Sequence, residues 1–273
     1  KDYLPLVFTR WEGMELMHIS PLIYAYEQTN IAVTGEGTLD GQGKAGFWKW
    51  HGSPRFGGDP AVKAQRPDRD KLYDMMTRNV PVSERVFGET SWLRPQFIQP
   101  YKCKNVLIEG VKIVDSPMWE VHPVLCQNVT VRGLHIETHG PNNDGCNPES
   151  SKDVLIENCH FDTGDDCIAI KSGRNNDGRR VGVASENIIV RNCNFKDGHG
   201  GITVGSECSG GFRNLFAENN KLDSPDLWTA LRIKNNASRG GKIENLYFRN
   251  ITVGKVSRSA IEMDFNYEEG AKG

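Results

Sequence analysis

The sequence predicts an all-β protein whose short coils stack as a parallel β-helix, a form of solenoid. The first observation behind this prediction is a nine-residue pattern that recurs along the chain from residue 105. The second is composition, because 29 of the 273 residues are glycine and only 37% are hydrophobic. Such a composition suits a turn-rich β protein better than a helical bundle. The third is that the repeat lacks the apolar spacing of a helix.

The repeat reads Asn-Val-Leu-Ile-Glu-Gly-Val-Lys-Ile in its copy at residues 105–113. Later copies begin at residues 128, 153, 187, 214 and 245, and Asn30 begins an earlier copy. A spacing in this range, on the order of 20–50 residues, is typical of solenoids and other repeat arrays. In a solenoid, neighbouring units bury a shared core, so each copy is expected to form one coil.

Each copy is predicted to contain a short strand, a bend and a second short strand. In the copy at residues 128–136, Val129 and Val131 are expected to point inward, while Thr130 and Arg132 point outward. The Gly or Asn that follows can adopt the left-handed backbone angles of a bend. The leading Asn of each copy is expected to stack on its neighbours at one corner, with the side-chain amides bonded in a ladder.

Residues 44–100 interrupt the repeat and are rich in tryptophan and proline. We predict a long excursion from one coil, with a short helix over residues 68–77, and long loops of this kind often carry function. A cap or a disordered loop is the alternative.

The whole chain, residues 1–273, is predicted to be a single domain. It begins without Met and stops soon after a repeat, so we expect that native sequence is missing at its ends, or that a partner or loop covers the open edge strand.

Charge and hydropathy argue against two kinds of partner. The formal net charge is -2, which gives no basic footprint for nucleic acid. No apolar run approaches the roughly 18 residues expected of a membrane span, and no signal peptide is visible.

The seven cysteines include no CxxC pair and are predicted to be buried free thiols. A zinc site would need closer ligand spacing, and disulfide pairing stays open.

Asp165 and Asp166 form an adjacent pair of carboxylates that follows Gly164 and precedes an apolar run. Clustered carboxylates repel one another, so one of them tends to keep a proton. This condition suits acid–base cleavage of a glycosidic bond. On a regular strand the two side chains would point to opposite faces, so a bend or bulge at Gly164 is needed to bring both into one cleft.

Further candidates fall at similar offsets in neighbouring copies. Asp144, Asp165 and His199 follow the copy starts at positions 128, 153 and 187 by similar lengths of chain. Arg232 and Lys234 follow the start at position 214 at a comparable offset. Stacked coils are about 4.8 Å apart, so these groups are expected to line one face, a groove for a linear polymer, within roughly 15–20 Å. Taken singly, the Asp pair suits an N-cap or a calcium site, the histidine a structural role and the two cations a solvated edge.

Four motifs resemble, in order, the signatures of the polygalacturonases, glycoside hydrolase family 28. They are Asn142-Asn143-Asp144-Gly145, Gly164-Asp165-Asp166-Cys167, Gly198-His199-Gly200 and Arg232-Ile233-Lys234. Each motif alone is weak, but together they are highly specific, and the likeness runs from about residue 20 to the end. It implies a right-handed parallel β-helix that hydrolyses α-1,4 links between galacturonic acids of pectin with inversion. It implies no metal and no other cofactor.

The resemblance also implies roles for the individual residues. Asp165 would be the general acid, with His199 supporting it through a hydrogen bond. Asp144 and Asp166 would activate the attacking water. The side chains expected to bind substrate, the first two of them at the substrate carboxylate, are Arg232, Lys234, Asn142, Lys171, Arg174 and His122.

The mode of action is expected to be exo rather than endo. Segments around His122, Lys171 and Arg174 resemble exo-acting members, and the excursion at residues 44–100 could block one end of the groove. Asn143 departs from the Thr that is common in the first motif, but the motif's Asp is retained. The expected partner is a pectic polysaccharide or oligogalacturonide, and the expected location is secreted or periplasmic.

Other functions and the oligomeric state stay open at this point. The same scaffold serves hydrolases of rhamnogalacturonan and of substituted galacturonans. A calcium-dependent β-helix pectate lyase and a non-catalytic carbohydrate-binding β-helix are the alternatives from other classes.

Overall fold

The computed structural model describes residues 5–268 apart from residues 60, 62 and 63. The described chain is a parallel β-helix, as the repeat predicts. In chain order its strands are β1 Leu6–Trp11, β2 Met14–Ile19, β3 Ile23–Tyr26, β4 Thr29–Thr34, β5 Thr38–Asp40, β6 Val86–Phe87, β7 Ile98–Tyr101, β8 Lys104–Glu109, β9 Lys112–Val114, β10 Gln127–Arg132, β11 His135–Thr138, β12 Lys152–Glu157, β13 His160–Thr163, β14 Ile168–Ile170, β15 Ser185–Arg191, β16 Asn194–Val204, β17 Phe212–Glu218, β18 Lys221–Leu222, β19 Leu227–Lys234, β20 Ile243–Arg249, β21 Thr252–Val253 and β22 Ser259–Asp264. The helices are α1 Gln65–Thr77 and α2 Asn175–Val181, and 3-10 turns cover Phe47–His51, Pro54–Phe56 and Val82–Glu84.

Three ladders of parallel strands run along the solenoid. The first strands of the repeat form the order β4-β8-β10-β12-β15-β17-β20, and the second strands form β5-β9-β11-β13-β16-β18-β21. The third ladder joins β14, the end of β16, β19 and β22, and bridges at Val121 and Cys146 continue it back to β7 and β3. This third ladder carries the candidate site.

Equivalent residues of successive copies lie beside one another, which builds the core. Val129 pairs in register with Val106 on one side and Val154 on the other. Val129 and Val131 are fully buried, whereas Thr130 is only half-buried, so the predicted alternation is confirmed. Because each inward residue packs on the same position of the next coil, the core is one continuous apolar column.

The predicted ladder of leading asparagines is present at one corner. The Asn105 amide donates to Oδ1 of Asn30 at 2.7 Å, and the Asn128 amide donates to Oδ1 of Asn105 at 2.8 Å, a bond that later coils repeat. The leading residues have φ between 54° and 64°, the left-handed region that Asn tolerates. Asp153 accepts from Asn187 at 3.0 Å, but its carboxylate has no amide to donate in turn.

The described part of the excursion is folded and builds a second, smaller core beside the solenoid. Its helix α1 begins at Gln65, slightly before the predicted start, and ends at the predicted residue. Leu72 and Met76 of α1 pack with Trp11 and Met14 of the antiparallel β1–β2 hairpin. Residues 60, 62 and 63, which belong to the predicted excursion, lie outside the described residues.

All seven cysteines are buried free thiols, as predicted. On the last described coil, Ile261 and Met263 of β22 are 62% and 64% exposed. The chain ends, residues 1–4 and 269–273, lie outside the described residues, and the single domain over residues 1–273 stays a prediction.

Neighbouring residues of β15 test the alternation, because Ile188 is fully buried and Ile189 is 37% exposed. We expect Ile188→Ala to lower the free energy of unfolding by about 2–5 kcal/mol, since it leaves a cavity in a packed core. Ile189→Ala should cost well under half as much, because its side chain already contacts water. Urea unfolding of both variants measures the difference, and equal losses would contradict the inward position of Ile188.

Candidate active site

The adjacent carboxylates lie at a bend of the backbone between β13 and β14. Gly164 occupies this bend, and a Cβ there would lie 2.4 Å from the carbonyl oxygen of Gly140 on the preceding coil. Any larger residue would therefore push the two coils apart. The segment after Gly164 does not alternate like a strand. Asp165 lines the cleft, and Asp166 contacts Lys234, which lines the same cleft, so both carboxylates lie on the side of the coil that the predicted bend requires.

Asp165 is the most accessible of the three site carboxylates. Its side chain is 20% exposed, against 4% for Asp144 and 1% for Asp166. Its Oδ1 lies 3.0 Å from Nδ1 of His199 and accepts the backbone N–H of Asp166 at 2.9 Å. Its Oδ2 lies 3.5 Å from the amide nitrogen of Asn142. Asp165 is thus the carboxylate that a ligand in the cleft can touch.

Asp166 is held by two cations from β19. Lys234 Nζ donates to its Oδ2 at 2.6 Å, and Arg232 Nη1 lies 3.7 Å from its Oδ1. That Oδ1 is buried and has no hydrogen-bond partner among the described residues. Arg232 is also paired with Glu262 at 2.9 Å, and the ring of Tyr267 lies 5.3 Å from Arg232 and 4.8 Å from Lys234. The free lone pairs of Oδ1 can accept a bond from a bound water or hydroxyl.

Asp144 lies on the coil before Asp166 and has weaker cationic support. It accepts from the Asn147 amide at 2.9 Å, and Lys171 Nζ is 3.7 Å from its Oδ2. Lys171 pairs more closely with Glu207, at 2.9 Å, and Arg174 pairs with the same glutamate at 2.6 Å. Because Glu207 already balances part of this positive charge, burial dominates the behaviour of Asp144.

Burial raises the pKa of Asp144 well above its ordinary value, and the charge of Asp165 raises it further. Burial also acts to raise the pKa of Asp165, but the hydrogen bond and positive charge of His199 outweigh burial and hold this pKa below its ordinary value. Clustered carboxylates share protons in this way. In the site without substrate, Asp144 therefore holds a proton more tightly than Asp165 does.

The structure brings the residues predicted from the sequence together, with one exception. Asn142, Lys171 and Arg174 line the same cleft as Asp144, Asp165 and Lys234, and Asp166 lies directly behind Lys234, 2.6 Å from its Nζ. His122 does not, because its side chain is completely buried, with Nε2 2.7 Å from Glu149 and Nδ1 3.0 Å from Gln99. A side chain without exposed surface cannot contact substrate, so the prediction for His122 is wrong.

Sequence reasoning missed several residues of the cleft. Trp228 stacks on the ring of His199 with ring centres 3.9 Å apart, and the pairing of β16 with β19 puts the two residues side by side. Aligning those two strands by their apolar residues would have found Trp228. Tyr267, Glu12 and Arg69 also line the cleft, but they come from segments outside the repeat and leave no periodic signal.

A metal-like grouping among the described residues is His139, Asp162 and Asp197, whose ligand atoms lie within 4.8 Å of one another. His139 already contacts both carboxylates, at 3.0 Å and 3.4 Å, and Lys196 Nζ lies 2.6 Å from Asp162. Lys196 therefore balances Asp162, and the His139 ring joins the two carboxylates, so contacts within the protein account for the grouping.

A parallel β-helix with three carboxylates and two cations on one outward face defines a class of protein, the β-helical glycoside hydrolases. Within this class, the family model for glycosyl hydrolases family 28 matches residues 89–273. The chain belongs to this family.

Solved structures and curated relatives agree with this assignment. The crystal structure of a hyperthermoactive exopolygalacturonase from Thermotoga maritima is 49% identical, with a TM-score of 0.94, over 99% of this chain and 62% of that one. A polygalacturonase from Erwinia carotovora ssp. carotovora is 25% identical, with a TM-score of 0.67, over 95% of this chain and 60% of that one. A probable polygalacturonase from Vitis vinifera is 29% identical over 90% of this chain. The right-handed parallel β-helix is thereby confirmed.

The chain spans about half the length of several curated relatives that it matches, and less than half of others. It covers 43% of the protein from Vitis vinifera and 40% of an exo-poly-alpha-D-galacturonosidase from Dickeya chrysanthemi.

The raised pKa of Asp144 predicts a stability effect that depends on pH. Below the carboxyl's ordinary pKa, near 3.8, both states are protonated and there is no penalty. As pH rises above it, the folded state loses stability, because the buried group resists ionisation. We therefore expect Asp144→Asn, which can still accept from Asn147, to unfold at higher urea concentration than the parent protein at neutral pH. The advantage should shrink as pH falls toward 4.

Unfolding curves at several pH values measure this effect, with Asp153→Asn on the exposed corner as the control. A stability difference between Asp144→Asn and the parent that does not change with pH would contradict the raised pKa.

Proposed function

We propose that this protein hydrolyses the α-1,4-galacturonosidic bonds of pectic polysaccharide with inversion. The observation that carries the proposal is the cluster of Asp144, Asp165 and Asp166 beside Arg232 and Lys234. Glycoside hydrolysis needs a proton donor and a base on either side of the scissile bond. A uronate also needs a cation for its carboxylate, and the Arg fork suits it. Membership of family 28 supports the same conclusion.

The three carboxylates have different roles because their environments differ. Asp165 is the general acid, since its carboxyl is the one accessible enough to reach a leaving oxygen. Asp144 and Asp166 are nearly buried and activate the attacking water. The Oδ1 of Asp166, which has no partner within the described chain, offers that water an acceptor. His199 supports the acid through its bond to Asp165.

Substrate binding supplies the reason why Asp165 becomes protonated. In the free site the hydrogen bond and charge of His199 favour ionised Asp165. A uronate carboxylate held by Arg232 and Lys234 adds a negative charge nearby and offsets two cations that stabilise ionised carboxylates. Both changes raise the pKa of Asp165. The bound substrate thus favours transfer of the shared proton from Asp144 to Asp165. This transfer gives Asp165 the protonated form that a general acid must have and leaves Asp144 ionised to act with Asp166 on the water.

The groove is flanked at one end by residues from outside the repeat, which supports exo action. Glu12 of the β1–β2 hairpin pairs with Arg69 of α1 at 3.0 Å. Arg94 of the excursion donates to Oδ1 of Asn142 at 2.6 Å, and Trp48 donates to the carbonyl oxygen of Ser116 at 2.8 Å. Asn142 and Ser116 belong to coils that precede Asp165, so the excursion obstructs this end and the groove accepts the end of a polymer. The likeness to the Thermotoga maritima exopolygalacturonase also supports this mode.

The partner in this proposal is a pectic polysaccharide or an oligogalacturonide. Arg232 and Lys234 favour galacturonate at the cleavage site, because rhamnose has no carboxylate to pair with them. Since pectin is an extracellular polymer, the protein acts as a secreted or periplasmic enzyme. Among the described residues, no helix is both long and apolar enough to cross a membrane.

Asp165→Asn tests the role of the acid. We expect kcat on polygalacturonate to fall by about 10²–10⁴-fold, the usual contribution of a positioned proton donor. Reducing-end release measures the rate, and Asp153→Asn is the matched control, because other coils carry Asn at that exposed ladder position. Unchanged hydrolysis by Asp165→Asn would defeat the assignment.

Product analysis tests the reaction and its direction. We expect galacturonate monomer as the sole early product from a defined oligogalacturonide, with no unsaturated product and no effect of a chelator. Chromatography with absorbance detection measures all three. A mixture of oligomers would refute the exo mode, and calcium-dependent unsaturated products would indicate a lyase. Binding of polygalacturonate without any release would indicate a non-catalytic protein.

A further inference from the structure

A strip of three side chains runs away from the general acid along the third ladder. His199, Trp228 and Arg258 occupy equivalent positions on three consecutive coils. The register of β16 with β19 places His199 beside Trp228, and the Arg258 backbone N–H donates to the Trp228 carbonyl oxygen at 2.8 Å, just before β22 begins to pair with β19. The Trp228 ring is stacked on His199 with ring centres 3.9 Å apart and planes inclined by 21°. The Arg258 guanidinium carbon lies 3.6 Å from the centre of the Trp228 ring.

Arg258 differs in its charge environment from the other cations of the groove. Arg232 is paired with Glu262, and Lys234 with Asp166. Arg258 is exposed, and within the described chain its guanidinium has no acidic partner within 4 Å. Stacking on an aromatic ring fixes the plane of a guanidinium and leaves its N–H edge free for a planar anion.

The position of Arg258 matches the path of a bound polymer. The end of the groove before Asp165 is flanked by Arg94 and Trp48 of the excursion. A polymer whose end lies there must continue toward the later coils, past Arg232 and then past the coil of Arg258. Both faces of Trp228 are covered by its neighbours, so this ring acts as a support and not as a platform for a sugar.

We propose that Arg258 binds the carboxylate of the uronate that follows the cleaved bond by one further unit. The proposal rests on the proposed function as a pectin hydrolase and adds a second site of charge recognition to it. Arg232 and Lys234 bind the carboxylate at the cleavage site, and Arg258 binds the next one along the open side. The groove therefore selects a run of consecutive acidic sugars.

Arg258→Gln separates this role from others when substrates of two lengths are compared. Digalacturonate fills only the two subsites that flank the cleaved bond, whereas trigalacturonate also reaches Arg258. We expect KM for trigalacturonate to rise about tenfold or more, the usual effect of losing a hydrogen bond to a charged group. Values of kcat, and KM for digalacturonate, should stay within about twofold. Arg249→Gln, which removes an exposed arginine from β20 in another ladder, is the control and should change neither.

A modified substrate gives an independent check. Trigalacturonate methyl-esterified on its reducing-end unit lacks the carboxylate that Arg258 would bind. The parent protein and Arg258→Gln should hydrolyse this ester with equal KM. Together with a raised KM of Arg258→Gln for unesterified trigalacturonate, this result assigns the loss to that carboxylate, and a difference in KM on the ester would contradict the assignment.

Two results would overturn the proposal. Equal losses of kcat on both substrates would mean that Arg258 acts only by supporting Trp228 and His199, and an unchanged KM for trigalacturonate would mean that it binds nothing. Affinity for trigalacturonate is also compared calorimetrically between Asp165→Asn and the double variant Asp165→Asn/Arg258→Gln, where hydrolysis is not required. If the parent protein releases no galacturonate yet this affinity falls about tenfold, the proposed hydrolase function fails while the Arg258 site stands.

Discussion

The parallel register between successive coils is the constraint on which this structure depends. Each strand pairs with the equivalent strand of the next coil, so a side chain at one position lies about 4.8 Å from its counterpart. Inward positions become the apolar column of Val106, Val129 and Val154, and outward positions become ladders of polar groups. The same register that buries the core also places Asp166, from one coil, against Lys234 of a later coil at 2.6 Å. The stacking of coils that forms the solenoid therefore also brings the site residues together.

Charge balance lets this assembly persist without substrate. A buried carboxylate is costly unless a cation and hydrogen bonds compensate it. Lys234 compensates the charge of Asp166. In the same way, the carboxylate of Glu207 compensates the positive charges of Lys171 and Arg174. Asp144 has the weakest compensation, and burial raises its pKa, so of the three carboxyl groups it is the one whose environment most favours the neutral form.

How much the sequence predicts depends on whether a residue lies inside the repeat. Periodicity predicts the solenoid, the asparagine ladder and the shared face of the carboxylates, because each depends on spacing alone. Periodicity does not predict that the His122 side chain is buried, because its burial depends on neighbours such as Glu149 that lie on another coil. Asn143 is similar: its side chain accepts from Thr138 at 2.6 Å and donates to the Ser116 carbonyl at 2.9 Å. These hydrogen bonds join two neighbouring coils and give Asn143 a structural role. From the sequence alone, Asn143 is only a difference from the Thr that is common in the motif.

A solenoid on its own has no preferred end for a polymer, because each coil resembles the next. The segments that break the repeat supply the difference. The β1–β2 hairpin and α1 meet at Glu12 and Arg69, and Arg94 ties the excursion to Asn142. On the opposite side of Asp165, the strip of His199, Trp228 and Arg258 ends in the cation that stacks on Trp228. In the proposed function, the repeat thus supplies the groups for cleavage, while the irregular segments decide which end of a substrate reaches them.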